Sequence, residues 1–335
     1  MSSPDAVIIL APNWLGDAVL ALPAVADLRR YFAASRVVVA ARASVSGLFT
    51  LVPAVDEVVT ADVPSVRATR ASVALLLPNS FASAWLVKRS QVQERWGYGT
   101  DMRNLLLTRA MPKPRTPLHQ AAYYQHLVHA LGIPNGALEA ALSIPERSIA
   151  DARTLLAERG WDEQSALVVL APGAAYGKAK QWIPSHVVRL VTDLVRARGT
   201  TCALVGSRGD ADTIRAIRAA APSDCQSRLL DVAGATTVPV LAGLLRLAAA
   251  CVSNDSGAMH LAAAAGTPTV ALFGPTNEET TSPLGPQGVS MEVLTNPVWC
   301  RPCMLRECPI DHRCMTGIEP GRVLTAIDRV SRIPA

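Results

Sequence analysis

Between Leu247 and Phe273 the chain follows a succession that tightly restricts its fold. An apolar run, Leu247 to Cys251, gives way to the polar turn Asn254-Asp255-Ser256-Gly257. The helix-forming Leu261 to Ala265 follows, closed by Gly266, and then a second apolar run, Thr269 to Phe273. Short continuous apolar runs joined by helices are the mark of strands buried on both faces, as in parallel sheets. Asn254, Asp255 and Ser256 are helix N-cap residue types, and the amides after them have no partner inside the helix, so they can meet an anion. The second run leads into Gly274-Pro275-Thr276. In an open parallel sheet, loops at the carboxyl ends of the strands line the ligand crevice. A lone capped helix would look the same, so the rest of the chain has to decide.

The rest alternates in the same way. Val7 to Leu10, Val37 to Ala40 and Ala74 to Leu77 read as strands, the first followed by Pro12-Asn13-Trp14-Leu15-Gly16-Asp17 and a helix over Ala18 to Tyr31. His119 to Leu131 is helical, and the proline- and glycine-bearing Ile133 to Pro145 predicts a linker. A second series follows: helices over Ala150–Arg159, Ser185–Arg198, Ala211–Ala220 and Val238–Leu247 are interleaved with strands over Leu167–Leu170, Cys202–Val205 and Leu229–Val232. The expectation is α/β: two Rossmann-like doubly wound domains facing a cleft, over 1–145 and 146–318, with a last helix within 319–335.

Composition narrows the partners. The chain has 335 residues, 50% of them hydrophobic and 18% charged, enough for two globular domains. Its net charge of +5 is too mild to imply a nucleic-acid partner. Between Trp85 and Arg115, however, seven basic residues (Lys88, Arg89, Arg95, Arg103, Arg109, Lys113 and Arg115) face two acidic ones, Glu94 and Asp101. That is either a solvated basic face or a surface for an anionic partner or membrane. Met1 to Asp5 lacks a basic leader region and no apolar run approaches a membrane span, so a cytoplasmic chain without a transmembrane segment is expected.

Common nucleotide loops are missing. Asn13 to Asp17 holds only Gly16 where a dinucleotide fingerprint needs three glycines. The stretch Gly173 to Lys178 is one residue short of a triphosphate loop, with Ala179 where that loop needs a hydroxyl. A dehydrogenase or kinase is disfavoured. Lys178 and Lys180 could still neutralise a diphosphate beside amides of the Gly173 loop.

Four motifs together resemble one family. Asn13-Trp-Leu-Gly-Asp17, Pro172-Gly173 with Lys180-Gln181-Trp182, Asn254-Asp-Ser-Gly-Ala-Met-His260 and Phe273-Gly-Pro-Thr276 occur in the order of the ADP-heptose:lipopolysaccharide heptosyltransferases. The Cys300 to Pro309 stretch is most similar to the type II branch. The resemblance spans about Val7 to beyond Arg322. It implies the B-type glycosyltransferase fold, with a lipid A-core acceptor on the N-terminal domain and ADP-heptose on the C-terminal one. It further implies a last helix, Pro320 to Val330, that packs back on the N-terminal domain, and a site on the inner face of the inner membrane.

By the same resemblance, Asp17 is the general base and Lys180 a phosphate ligand. Asn13, Trp14 and Gly16 meet the acceptor. Gly173, Asp255, Ser256, Gly257 and His260 surround the donor, and Asp210 reads the adenosine. Asp255 is expected to cap its helix or bind sugar hydroxyls, because two anions repel. Asp17 could instead cap its own helix, His260 could be a core histidine, and Trp14 could pack between loops. No cofactor and no catalytic metal is expected. A related transferase with another acceptor or sugar nucleotide, and a non-catalytic sugar-nucleotide-binding protein, are the alternatives. Cys300, Cys303, Cys308 and Cys314, with His312, are either a structural zinc site or reduced thiols.

Overall fold

The computed structural model describes residues 4–331, and the chain divides between Ser143 and Ile144 into two compact units. The first holds the strands β1 (Ala6–Leu10), β2 (Arg36–Ala41), β3 (Glu57–Thr60), β4 (Val73–Leu76), β5 (Glu94–Tyr98) and β6 (Arg109–Met111). They form one parallel sheet in the order β3-β2-β1-β4-β5-β6. The second unit holds β7 (Leu167–Ala171), β8 (Thr201–Leu204), β9 (Leu229–Asp231), β10 (Ala250–Asn254), β11 (Thr269–Phe273) and β12 (Met291–Thr295). Their order is β12-β11-β10-β7-β8-β9, again parallel throughout. Counted from the start of each unit, both sheets read 3-2-1-4-5-6, the doubly wound order. The winding reverses between β1 and β4 and between β7 and β10. Loops after those strands diverge and leave room for a ligand.

The central strands are fully buried, β1 as Ala-Val-Ile-Ile-Leu and β7 as Leu-Val-Val-Leu-Ala. Ile8, Leu10, Val38 and Leu76 anchor the first core; Leu170, Leu190, Leu204 and Leu272 anchor the second.

Several boundaries differ from expectation. The strand expected at Leu247 to Cys251 is β10, which starts at Ala250 and runs on through Asn254; Leu247 instead ends the helix Val238–Leu247. The following helix starts at Gly257, not Leu261, because Gly257 to His260 themselves form its first turn, after the N-cap Ser256. The helix expected over Ala18 to Tyr31 is two, Leu15–Leu20 and Leu22–Tyr31. Pro23 has no N–H to continue one ladder through the junction.

The last helix, Pro320–Val330, buries Val323, Ala326, Ile327 and Val330 in the core of the second unit, against the helix Pro184–Arg198 and strands β10 to β12. Its apolar stripe is therefore part of the core of the second unit.

Helix Val238–Leu247 lies so close to helix Glu146–Glu158 that a Cβ at Gly243 would overlap the Ser148 carbonyl and approach Ile149 N to 2.9 Å. Gly243→Ala should gain up to about 1 kcal/mol of helix propensity. Overpacking against rigid backbone costs about 1–3 kcal/mol and should win. A lower urea midpoint is expected; an unchanged or raised one would refute the close packing.

Candidate active site

At the β7/β10 reversal, the second unit collects most of the residues singled out from the sequence. Asn254, the last residue of β10, is buried and stitches the two diverging loops together. Its amide nitrogen donates to Pro172 O at 2.7 Å and Gly173 O at 3.2 Å, and its oxygen accepts the Trp182 amide at 3.1 Å. Trp182 in turn donates its indole N–H to Ile318 O at 2.9 Å, fixing the segment that carries Lys180.

Lys180 closes the short turn Lys178–Lys180, and its ammonium donates to Asp255 Oδ2 at 2.6 Å. The pair is largely buried, with side chains 13% and 6% exposed. Thr276 Oγ1 donates to the same carboxylate oxygen at 2.8 Å, and the ammonium lies 4.8 Å from the centre of the Tyr176 ring. Of the two roles expected for Asp255, helix capping and sugar binding, the first is corrected here. Ser256 is the N-cap, by backbone conformation, with its hydroxyl 3.1 Å from Ser253 Oγ. A carboxylate this buried needs a cation, and Lys180 supplies it.

Helix Gly257–Ala264 presents its first amides beside this pair, with Ser256 and Gly257 half-buried. His260 is the fourth residue of that helix and is buried. Asp210 stands on the neighbouring loop after β8. Its carboxylate accepts from Ser207 N at 2.8 Å and Ser207 Oγ at 2.7 Å, closing the turn Arg208–Asp210 as a capping box. It lies directly over Gly173, where any Cβ would overlap it. Gly173 and Asp210, 37 positions apart in the sequence (210 − 173), are thus in contact.

The cysteine-bearing segment, expected to be either a zinc site or a set of reduced thiols, also contacts the loops of this site. All seven cysteines are free thiols, and among the described residues no three His, Cys, Asp or Glu side chains are grouped as metal ligands. Burial, and then the charges of Cys300, Cys308 and Cys303, raise the Cys314 thiol. The segment braces the loops after β7 and β11 through its backbone and the Arg301 side chain. Met304 N donates to Pro275 O at 2.9 Å, and Met304 O accepts from Tyr176 Oη at 2.9 Å. Arg306 O accepts the Ala179 amide at 2.9 Å. Arg301 donates to Gly274 O at 2.9 Å, Thr276 O at 3.2 Å and Glu278 at 2.8 Å. Thr276, Tyr176, Arg301 and Asn254 were not singled out as site residues from the sequence. Asn254 and Thr276 lie in the quoted motifs, Tyr176 in the Gly173 to Lys178 stretch and Arg301 in the Cys300 to Pro309 stretch, but no residue type there pointed to these contacts.

In the first unit, the loop after β1 carries the other set. Asn13 and Trp14 are exposed, while Gly16 and Asp17 are half-buried. Trp14 is the N-cap of helix Leu15–Leu20, so Asp17 lies inside the first turn and is not the cap. Its charge helps to raise the hydroxyl of buried Tyr124, though desolvation is the larger cause, so helix Gln120–Ala130 forms one wall beside it.

Residues 59–313 match glycosyltransferase family 9 (heptosyltransferase). The lipopolysaccharide heptosyltransferase 2 of Salmonella typhimurium is 28% identical over 313 residues, covering 86% of this chain and 88% of that protein. Its Escherichia coli counterpart is 27% identical over 346 residues, covering 96% and 97%. The structure of E. coli ADP-heptose lps heptosyltransferase II matches with a TM-score of 0.85 at 25% identity, over 97% of this chain and 98% of that one. A glycosyl transferase family 9 structure from Veillonella parvula matches with a TM-score of 0.83 at 18% identity, over 98% of each chain, and shares the fold. The two doubly wound units are those of the B-type glycosyltransferase fold. With its family match extending over most of its length, the chain belongs to glycosyltransferase family 9, the heptosyltransferases.

Proposed function

We propose that this chain is a heptosyltransferase II-like enzyme of lipopolysaccharide core synthesis. In this reading it moves a heptose, with inversion, from ADP-L-glycero-D-manno-heptose to heptosyl-Kdo2-lipid A. The acceptor oxygen attacks the anomeric carbon, its proton passes to the Asp17 carboxylate, and the bond to the diphosphate breaks with its electron pair leaving on ADP. Lys180 and the amides at Ser256–Gly257 take up the charge developing on that leaving group. The observation that carries the reading is the oriented ammonium. Asp255 and Thr276 fix Lys180 beside a helix N-terminus while using one of its three N–H donors, leaving the others for phosphate. Gly173 with Asp210 then frames the adenosine, and Asn13, Trp14 and Gly16 the acceptor.

The test is ADP release from ADP-heptose with two acceptors in parallel, Kdo2-lipid A and its mono-heptosylated form. Turnover on the heptosylated acceptor alone supports the proposal. Turnover on the unheptosylated one assigns a type I-like acceptor, and none on either sinks the enzymatic reading. For the adenosine assignment, Gly173→Ala should drive Asp210 off Ser207 and raise the ADP dissociation constant about tenfold, roughly 1.4 kcal/mol. Calorimetric titration with ADP reads this directly, and unaltered affinity would remove Asp210 and Gly173 from the donor pocket.

A further inference from the structure

Four large apolar side chains face solvent within one stretch of the first unit: Phe81 (44% exposed), Trp85 (47%), Met102 (89%) and Leu105 (92%). Single exposed apolar residues are ordinary, whereas a group of them marks a docking surface. These four are neighbours. Phe81 and Trp85 sit one turn apart on helix Phe81–Arg89, their rings stacked with centroids 6.3 Å apart. The turn Arg103–Leu106 packs on that helix, and Asp101 Oδ2 accepts the Phe81 amide at 2.8 Å. Beneath them Arg103 is fully buried, donating to Tyr98 O at 2.8 Å, Ser83 Oγ at 3.1 Å and Pro78 O, so the turn is anchored from below.

The structure also sorts the basic residues of this stretch. Arg95 donates to the carbonyls of Leu106, Val92 and Gln93 at 2.6, 2.7 and 2.7 Å. Arg109 donates to Leu131 O at 2.8 Å and lies over the Trp96 ring. With buried Arg103, these three spend their guanidinium groups on the protein's own carbonyls, Arg95 and Arg109 being half-buried. Lys88, Arg89, Lys113 and Arg115 are exposed. Lys88 and Arg89 follow Trp85 by three and four positions, which places them on its helix face. Lys113 and Arg115 follow β6, as Met102 and Leu105 follow β5, and so leave the same carboxyl edge of the sheet. Nearby acids are engaged: Asp101 holds the Phe81 amide, and Glu94 accepts from Trp96 Nε1 at 3.1 Å and Thr108 Oγ1 at 2.8 Å.

We propose that one face, made of this edge and the outer side of helix Phe81–Arg89, docks on an anionic lipid bilayer, with Phe81, Trp85, Met102 and Leu105 entering the headgroup region, Lys113 and Arg115 meeting lipid phosphates at the edge and Lys88 and Arg89 meeting them at the far end of the helix. Protruding aromatic and aliphatic tips flanked by lysine and arginine match the depth profile of such an interface. Only the use of this docking rests on the proposed reaction. The Asn13–Asp17 loop leaves the same edge after β1, so a lipid-held acceptor would meet it there.

The test is sedimentation of the full chain with vesicles of phosphatidylethanolamine and phosphatidylglycerol, against phosphatidylcholine vesicles. The wild type should pellet with the anionic vesicles only, and less as salt rises. Trp85→Ser/Met102→Ser/Leu105→Ser should lower the partition coefficient at least about tenfold. Lys88→Ala and Lys113→Ala should lower it about fivefold each. ADP affinity, and turnover on a detergent-solubilised acceptor, should stay at wild-type values. A wild type that stays in the supernatant, equal binding to neutral vesicles, or wild-type binding by the triple variant would each overturn the docking. So would a triple variant that only converts a dimer to a monomer, which assigns the patch to a second copy. Absent turnover with vesicle binding intact would count against the reaction alone.

Discussion

Asp17→Asn is expected to lower kcat for heptose transfer by roughly 10²- to 10⁴-fold, the usual range for loss of a positioned general base. The amide is the same size as the carboxylate but cannot take the acceptor's proton. The structure limits the collateral damage. Asp17 does not cap its helix, since Trp14 occupies that place, and the residue is only half-buried. Losing a negative charge in the first turn costs about 0.3–1 kcal/mol of stability, far less than the roughly 3–5 kcal/mol that the kinetic loss represents. Asp17 lies in the first unit and the proposed donor residues in the second, so ADP affinity should not move. Single-turnover rates and ADP titration on the same preparation separate the two effects. A kcat within about fivefold of wild type, or a parallel loss of ADP affinity, would show that Asp17 shapes the protein and does not take the proton.

The same residues show what can be read from sequence alone. Strands whose residues are buried announce themselves as apolar runs, and β1, β2, β4, β7, β8 and β11, together with the buried edge strand β9, were legible for that reason. Strands β3, β6 and β12 were missed. They lie at sheet edges, half exposed, and carry Glu57, Arg109 and Glu292 on surfaces a central strand would make apolar. Strand β5 begins Glu-Arg and contains Gly97, whose missing side chain leaves space for the Arg103 guanidinium, so its pattern is broken by a neighbour's packing. In the site, Lys180, Asp255, Gly173 and Asp210 were each legible as residue types at loop positions. Their pairing was not, because contacts across a winding reversal leave no local spacing. The brace formed by Arg301, Met304 and Arg306 was wholly hidden. It acts mainly through backbone carbonyls and amides, which carry no residue-type signal, and the sequence reading of this stretch turned on its cysteines, as zinc ligands or as reduced thiols.

Lys180→Met should damage folding and donor binding together, and the two can be separated. Removing the ammonium leaves Asp255 buried with only the Thr276 hydroxyl, and stranding one member of a buried ion pair costs about 3–5 kcal/mol. Thr276→Val removes a single hydrogen bond from the same carboxylate, a loss of about 1–2 kcal/mol, so the two variants should rank in that order in urea unfolding. Adding Asp255→Asn to Lys180→Met removes the stranded charge and should recover most of the lost stability, a coupling that additive single effects would not produce. Turnover should not recover. The leaving diphosphate would still lack its cation, a deficit worth about 10²- to 10³-fold in kcat/KM by analogy with losing one preorganised donor. If the neutral double variant instead regains both stability and ADP affinity, Lys180 is only the counter-ion of Asp255. The charge of the leaving group would then fall to the helix N-terminus at Ser256–Gly257 alone.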